Sequence, residues 1–221
     1  MKVLMSGNEA IARGAYEAGV RFAAAYPGTP STEILEEFSR YEGVYAEWSP
    51  NEKVAVEVAI GAALAGEKAM AVMKHVGVNV AADPIFTVSY TGTNSALVIV
   101  SADDPSLHSS QNEQDNRNYA KFAKIPMLEP ADAQEAKEFV KIAFALGKKF
   151  DTPVFLRSTT RVSHSKAIVK LGKPAEYQDR TAITFNAEKY VMVPALARLR
   201  RVEVEKRLDK LKQYAETGGE N

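Results

Sequence analysis

A glutamate that follows a short apolar run has the best position for proton chemistry in this sequence. The run at residues 44–48 leads into Ser-Pro-Asn and then Glu52, which begins a segment of small residues that continues to residue 66. A flat ligand that shelters such a carboxyl group from water makes it a useful proton donor or acceptor. The same residues also fit a capping box, with Pro50 at the first helical position and Glu52 folded back onto the amide of Ser49. Both interpretations of Glu52 stay open from the residues alone.

A second candidate segment places polar residues directly after an apolar run. In YPGTPSTE, at residues 26–33, two prolines and a glycine predict a sharp turn, and Ser31 or Thr32 can cap the helix that follows. There Thr29 would offer a hydroxyl, beside the amides of a helix start, to an anionic oxygen of a ligand, although a plain turn explains the same residues. The segment KHVGVN at 74–79 is a similar turn and contains His75, the histidine best placed to belong to a site.

A long polar segment at residues 101–118 is the third candidate. Polar loops of this length are uncommon inside a compact α/β domain and are usually functional or mobile, so we expect a binding loop here. The acidic residues in and near it do not have the spacing of metal ligands; they are Asp83, Asp103, Asp104 and Asp115. The sequence therefore predicts no metal bound by this chain alone.

Alternating apolar runs and helical segments predict the elements that position these residues. This pattern favours an α/β fold with a mostly parallel six-stranded sheet and helices on both faces. The predicted strands are residues 21–26, 44–48, 69–74, 96–101, 127–128 and 154–156. Helices are expected to begin near Asn8, Ser31, Asn51, Asn79, Glu113 and Asp132. Ligands of open parallel sheets gather at the carboxyl ends of the strands, where all three candidate segments lie.

The end of the chain has a different character. We expect an α/β domain over residues 1–164, an extended linker over 165–193, and a charged helix with a frayed end over 194–221. The helix is expected to dock through a thin apolar stripe, and the pair Glu203 and Arg207 has the spacing of a helical ion pair. The stripe consists of Leu196, Leu199, Val202, Leu208 and Leu211.

Composition excludes several classes of function. The 221 residues include 28 basic and 28 acidic side chains, so the chain has no net charge to attract a nucleic acid. It contains no cysteine, which excludes a disulfide, a thiolate nucleophile and a Cys-ligated iron–sulfur cluster within it. The first residues lack the features of a signal peptide, and no apolar run approaches the roughly 20 residues of a membrane span. The sequence therefore predicts a cytoplasmic protein with no membrane contact.

Four segments together carry a family resemblance. They are YPGTPSTE at 26–33, NEKVAVEVAIGAALAG at 51–66, KHVGVN at 74–79 and VSADDPSLHSSQNEQD at 100–115. Over roughly residues 3–200 the chain resembles the pyrimidine-binding domain of thiamine-diphosphate-dependent 2-oxoacid:ferredoxin oxidoreductases, and within that family the alpha subunits of the indolepyruvate (arylpyruvate) members. The resemblance implies the thiamine-diphosphate-binding fold and the oxidative decarboxylation of an aryl 2-oxoacid to its acyl-CoA.

The resemblance also implies roles for individual residues. Glu52 matches the glutamate that hydrogen-bonds the aminopyrimidine ring of the cofactor, so it would be protonated or share a proton in a dry pocket. The cofactor-binding residues would be Glu52, Tyr26, Pro27, Gly28, His75 and Val78. The substrate-binding residues would be Thr29, His75 and Asp103.

Departures from the family pattern indicate what the chain lacks. Asp103 stands where pyruvate-type members carry an arginine for the carboxylate of a small substrate, which favours a bulkier aryl substrate. No GDG segment of a diphosphate–magnesium site is present, so Mg²⁺ and [4Fe-4S] clusters would belong to parts outside this chain. The chain therefore resembles the N-terminal portion of a longer alpha chain, as a shortened form, a breakdown product or a separate subunit. Alone it would be inactive.

The resemblance and the exposed half-site predict several partners. These are the diphosphate-binding and ferredoxin-like domains of a full alpha chain, a beta subunit, ferredoxin, CoA and a second copy of this chain. Two alternative functions stay open. One is the pyrimidine-binding subunit of a two-subunit decarboxylase of the sulfopyruvate or phosphonopyruvate type. The other is a non-catalytic α/β scaffold in which Glu52 is only a cap.

Overall fold

A six-stranded parallel sheet forms the centre of the protein, with a separate two-stranded antiparallel sheet beside it. The structure is a computed structural model and describes residues 1–176 and 182–217. The strands are β1 (Lys2–Ser6), β2 (Phe22–Ala25), β3 (Tyr45–Trp48), β4 (Lys68–Lys74), β5 (Ala96–Asp103), β6 (Met127–Leu128), β7 (Val154–Thr159) and β8 (Lys166–Lys170). The large sheet has the order β3-β2-β4-β5-β7-β6, and β1 pairs with β8.

Helices connect the strands of the large sheet and cover both of its faces. They are α1 (Gly7–Glu17), α2 (Thr32–Phe38), α3 (Glu52–Leu64), α4 (His75–Val80), α5 (Ala82–Thr91), α6 (Arg117–Ala123), α7 (Ala133–Phe150), α8 (Thr160–His164), α9 (Ala187–Tyr190) and α10 (Pro194–Glu216). No helix within the described ranges is long and apolar enough to cross a membrane. The predicted α/β fold, with its six-stranded parallel sheet and its C-terminal helix, is confirmed.

Alternating side chains of the strands supply two separate cores. On β4, Met70 and Val72 point to the core beneath α1, α2 and α7, whereas Ala71 and Met73 point to the core beneath α3, α5 and α6. A parallel sheet covered by helices on both faces needs apolar residues on both sides of each inner strand. This explains why all eight residues of β5 are buried, although its last residue is an aspartate.

The direction of the connections creates a crevice in the sheet. The chain moves outward from β2 to β3, then returns across β2 to β4 and continues through β5 in the opposite direction. The helices of the outward and return connections lie on opposite faces, as right-handed crossovers require. The strand order therefore switches between β2 and β4, and at such a switch point the loops diverge and leave room for a ligand.

The structure differs from the sequence-based expectation in several elements. Strands β1 and β8 were not expected, and β8, like α9, lies within the stretch expected to be an extended linker. The KHVGVN segment is itself the short helix α4, so helical structure begins at His75 rather than near Asn79. Helix α6 begins at Arg117, after the residue near which it was expected, because the polar loop continues further than its composition indicated.

The C-terminal helix docks on the domain through only part of the expected stripe. Leu211 of the predicted stripe is buried, whereas Leu199 and Val202 are 61% and 52% exposed. The docked face also contains Val204 and the charged Arg207, which an apolar pattern does not assign to it. Arg207 donates to the carbonyl oxygens of Asp151, at 2.7 Å, and Ser89.

Candidate functional site

A cleft of about 500 Å³ opens at the carboxyl ends of β2 and β4, at the switch point of the sheet. Three walls form it: the turn after β2, the start of α3 with the segment after β4, and the polar loop after β5. Its lining residues are Tyr26, Pro27, Gly28, Glu52, Lys74, Val76, Asn79, Val80, Gln111, Asn112 and Gln114. The three segments singled out in the sequence therefore meet at one place.

Glu52 lies on the wall of this cleft and is only 8% exposed. It is the first residue of α3, and Asn51 is the N-cap, with its side chain accepting from the amide of Val54 at 2.9 Å. The amide of Ser49 donates to the carbonyl of Ala25 at 2.8 Å. The capping box with Glu52 folded onto Ser49 is therefore wrong, because the cap and that amide are both already satisfied.

The backbone of α4 restricts the side chain of Glu52. A β-carbon placed on Gly77 would lie 2.5 Å from Cγ and 2.7 Å from Oε1 of Glu52. Only a glycine therefore permits this close approach of α4 to the carboxyl group. Within the described residues, the carboxylate of Glu52 has no ion-pair partner. Because Glu52 lines the cleft, its carboxyl group is available to a ligand seated there.

The turn after β2 gives the cleft a backbone wall. Tyr26, Pro27 and Gly28 line the cleft as expected of cofactor-binding residues, whereas Thr29 is exposed and does not line it. The expected cap of α2 is wrong, because Ser31 has no side-chain capping bond there and instead donates to the carbonyl of Gly28 at 2.8 Å. The hydroxyl of Thr32 accepts from the amide of Gly28 at 2.9 Å. These hydrogen bonds stabilise the turn, and its backbone forms one wall of the cleft.

The polar loop at residues 104–116 forms the third wall and is anchored by Asp104. The Asp104 carboxylate accepts from the amide of Ser109 at 2.8 Å and from the hydroxyl of Thr160 at 2.7 Å, and it also accepts from Ser110. Burial opposes the ionisation of Asp104, but these hydrogen bonds outweigh it and hold the pKa of this carboxyl well below its usual range. The loop is therefore held in place by an ionised aspartate.

His75 and Val78 lie behind the cleft wall rather than on it. His75 is fully buried, and its Nε2 donates to the carbonyl oxygen of Asn112 at 3.0 Å. Val78 is fully buried in the core beneath α3. His75 thus connects the end of β4 to the polar loop that carries Asn112, and any influence on a ligand would pass through that loop.

Asp103 belongs to a buried network rather than to the cleft. It is 1% exposed, pairs with the guanidinium of Arg157 at 2.7 Å and accepts from the hydroxyl of Ser101 at 2.8 Å and the amide of Asn116 at 3.1 Å. Burial lowers the pKa of Arg157, but its bonds to Asp103 and Glu129 outweigh this effect and raise the pKa above its ordinary value. The carboxylate of Asp103 is therefore satisfied within the protein and does not reach the cleft.

Sequence reasoning did not single out Lys74 or the amide side chains of the polar loop. Lys74 ends the strand KAMAVMK, and a charged residue at the end of an otherwise apolar inner strand is the signal that could have identified it. Gln111, Asn112 and Gln114 lie in the segment expected to bind a ligand, but nothing in their spacing distinguishes them from their polar neighbours. Within the described part of the chain, no group of acidic or histidine side chains could hold a metal ion.

Comparison with known families gives one matching model over most of the chain. Residues 13–207 match the family described as pyruvate flavodoxin/ferredoxin oxidoreductase, thiamine diphosphate-binding. Among curated proteins, the chain is 52% identical to indolepyruvate oxidoreductase subunit IorA of Archaeoglobus fulgidus, over 96% of this chain and 36% of that protein. It is 53% identical to the subunit of the same name from Pyrococcus horikoshii, over 89% of this chain and 32% of that protein. The chain therefore spans about a third of the length of these relatives.

More distant similarity extends to other oxidoreductases. The chain is 32% identical to 2-oxoglutarate synthase subunit KorA of Methanocaldococcus jannaschii, over 81% of this chain and 52% of that protein. Among solved structures, it resembles a 2-oxoglutarate:ferredoxin oxidoreductase from Magnetococcus marinus, with a TM-score of 0.76 and 17% identity, over 96% of this chain and 45% of the other. At this level of identity the structural match supports the fold alone.

Proposed function

Because the chain belongs to the pyruvate flavodoxin/ferredoxin oxidoreductase, thiamine diphosphate-binding family, we propose that it is the pyrimidine-binding portion of an indolepyruvate or arylpyruvate:ferredoxin oxidoreductase. In the proposed reaction an aryl 2-oxoacid loses its carboxylate as CO₂, two electrons pass to ferredoxin, and the sulfur of CoA takes the acyl group as its proton is released. Since the chain spans 36% and 32% of two similar IorA subunits, we infer that activity needs the remaining parts of such a protein.

The residues of the cleft fit the pyrimidine end of the cofactor. The observation that carries the proposal is Glu52, which is 8% exposed, lies on the wall of a cleft of about 500 Å³ and is not used as a cap. A flat heterocycle would lie between Glu52 and the backbone wall of Pro27 and Gly28, with Tyr26 at the mouth. When bound, thiamine diphosphate supplies a thiazolium carbon nucleophile and an electron sink for decarboxylation.

Glu52 would hold the proton that the ring nitrogen of the cofactor needs. Glu52 lies on the cleft wall and is only 8% exposed, so a ligand seated in the cleft would shelter the carboxyl group from water and place it within reach of a ring nitrogen. Asn51 supports this role because it caps α3 and leaves Glu52 free, while the contact with Gly77 fixes the direction of the carboxyl group. The non-catalytic scaffold alternative required Glu52 to be the cap, so this geometry disfavours it.

Other groups of the complete enzyme would come from outside this chain. We propose that the diphosphate, Mg²⁺ and [4Fe-4S] clusters bind to a diphosphate-binding domain, a ferredoxin-like domain and a beta subunit, with ferredoxin and CoA as the exchanging partners. The described residues contain no cluster of acidic or histidine side chains for a metal, and the sequence contains no cysteine.

The test is an assay of the complete enzyme with indolepyruvate, CoA and oxidised ferredoxin, with and without thiamine diphosphate. We expect one acyl-CoA and two electrons delivered to ferredoxin for each CO₂ released, and no reaction without the cofactor. Release of CO₂ and free aldehyde without ferredoxin reduction would instead support the two-subunit decarboxylase alternative. No cofactor binding at all would support the scaffold alternative.

A further inference from the structure

The cleft contains a buried positive charge that the proposed proton chemistry does not use. Lys74, the last residue of β4, lines the cleft and is 9% exposed. Among the described residues that line the cleft, it is the only basic side chain, and Glu52 is the only acidic one. A ligand in this cleft therefore meets one carboxyl group and one ammonium group of the protein.

The ammonium group of Lys74 has spare hydrogen-bonding capacity. Its Nζ donates to the carbonyl oxygen of Ser109 at 2.5 Å, and an ammonium group has three donors. Within residues 1–176 and 182–217, Lys74 forms no ion pair with a carboxylate. Lysines are almost never this deeply buried without a counter-ion, because removing the charge from water is costly. The arrangement calls for an anion from outside the chain.

The stem of Lys74 is held in a fixed direction. A β-carbon placed on Gly28 would lie 3.2 Å from Cβ of Lys74, so the backbone of the turn after β2 packs directly on the stem. The hydrogen bond to Ser109 fixes the other end against the polar loop. The amine therefore lies between two walls of the cleft, where a ligand seated against the backbone of Gly28 would reach it.

We propose that Lys74 binds the carboxylate of the 2-oxoacid substrate and thereby determines specificity for an acid. This inference rests on the proposed function, since it takes its substrate class from there. A 2-oxoacid brings a carboxylate into a cleft in which Lys74 is the basic side chain among the described lining residues, and the ammonium group of Lys74 can offer it a charge-assisted hydrogen bond. Arg157 is also a buried cation, but it is paired with Asp103 and Glu129 and does not line the cleft.

The experiment compares two unreactive probes of the same shape, one with an anionic carboxylate and one with a neutral amide in its place. Binding of 3-phenylpropionate and of the neutral 3-phenylpropionamide is measured by calorimetry on the complete enzyme, before and after Lys74→Met. We expect the native enzyme to prefer the acid, and Lys74→Met to weaken acid binding by about 10- to 100-fold with little effect on the amide, which is the range for a charge-assisted hydrogen bond. For turnover of an aryl 2-oxoacid, KM should rise more than kcat falls.

Two further variants separate charge from loop anchoring. Lys74→Gln keeps a donor for the Ser109 carbonyl without the charge and should lose the preference for the acid, whereas Lys74→Arg should restore part of it. Lys121→Met removes an exposed lysine of α6 and should leave both affinities unchanged. Thiamine diphosphate affinity is measured in parallel and should change little in every variant.

Three results would overturn the inference. Equal loss of acid and amide binding in Lys74→Met, or an unchanged preference for the acid in Lys74→Gln, would assign Lys74 to anchoring the polar loop alone. A loss confined to thiamine diphosphate would assign it to the cofactor. If the native enzyme oxidised no aryl 2-oxoacid, the proposed function would fail, yet the two probes would still report whether Lys74 binds a carboxylate.

Discussion

The orientation of the Glu52 carboxyl group depends on Gly77, because the two residues are closely packed. Gly77→Ala would place a β-carbon 2.5 Å from Cγ of Glu52, so the side chain must move. We expect kcat/KM of the complete enzyme to fall by about 100-fold, the usual effect of displacing a reacting group by an ångström. Overpacking should also lower the free energy of unfolding by about 1–3 kcal/mol.

The control for this prediction is the same exchange at a helical glycine with open space. A β-carbon on Gly61 would meet no atom within 4 Å, so Gly61→Ala should leave kcat/KM unchanged and add up to about 1 kcal/mol of stability. Steady-state kinetics and urea unfolding measure both quantities. Wild-type activity in Gly77→Ala would show that this contact does not hold Glu52 in its working direction.

Asp104 gives the stability of the polar loop a defined dependence on pH. Its pKa is lower in the folded protein than the ordinary value of 3.8, so the unfolded chain binds its proton first as the pH falls. The stabilisation is therefore complete above about pH 5 and is lost as the pH falls below about 4. We expect Asp104→Asn to be less stable than the native protein at pH 7 and the difference to shrink below pH 4. Urea midpoints measured at pH 7, 4 and 3 test this, and a difference that stayed constant would contradict it.

Site residues were predictable from sequence where they directly follow a strand, because the end of the strand determines their position. Glu52 and the turn at 26–28 follow strands and therefore had to reach the carboxyl edge of the sheet. Lys74 was not predicted, because whether a strand-end lysine faces water or a cleft depends on the loop that covers it. Asp103 was expected to bind substrate, but a carboxylate with a buried arginine partner 54 residues away cannot be distinguished in sequence from a free one.

At the scale of elements, the docking of α10 depends on a buried cation. Arg207 is 7% exposed and donates to the carbonyl oxygens of Asp151 and Ser89, and burial lowers its pKa to about 10, so it stays charged at neutral pH. We expect Arg207→Met to lower the free energy of unfolding by about 2–3 kcal/mol, because two buried carbonyls lose a charged donor. The exposed residue Arg198 offers a control, since Arg198→Met should change stability by less than about 0.5 kcal/mol. Equal urea midpoints for the two variants would show that Arg207 does not hold the helix in place.

The inner strands were predictable from sequence, whereas the small antiparallel sheet was not. Strands such as β4 and β5 are continuous apolar runs because both of their faces are buried. By contrast, β1 and β8 alternate, with Leu4 and Ile168 paired opposite each other on an exposed face. Each strand is short, and the strand with which it pairs is far away in the sequence. No local sequence pattern therefore predicts the pairing. The docked face of α10 was only partly predicted for a related reason, because a hydropathy pattern assigns Arg207 to water.

At the scale of the whole molecule, the exposed side of α3 is a candidate contact with a second copy. Val54 and Val58 are half-buried and Gly61 is exposed, with the spacing of one helical face. We expect the protein to associate through this face and Gly61→Lys to shift it toward the monomer without unfolding it, since the new side chain meets no atom of its own chain. Sedimentation velocity on the native protein, Gly61→Ala and Gly61→Lys measures this. A native protein that stayed monomeric at high concentration would contradict the expectation.

Proton exchange between Glu52 and the bound cofactor is the central step of the proposed function, and hydrogen–deuterium exchange at the cofactor's thiazolium carbon measures it most directly. In the complete enzyme, Glu52→Gln should slow this exchange by about 10²- to 10⁴-fold while thiamine diphosphate stays bound and the fold stays stable. Asn51→Ala removes the N-cap of α3. It should lower the free energy of unfolding by about 1 kcal/mol and leave the exchange rate nearly unchanged. Exchange at the native rate in Glu52→Gln, with the cofactor bound, would contradict the assignment of this cleft to thiamine chemistry.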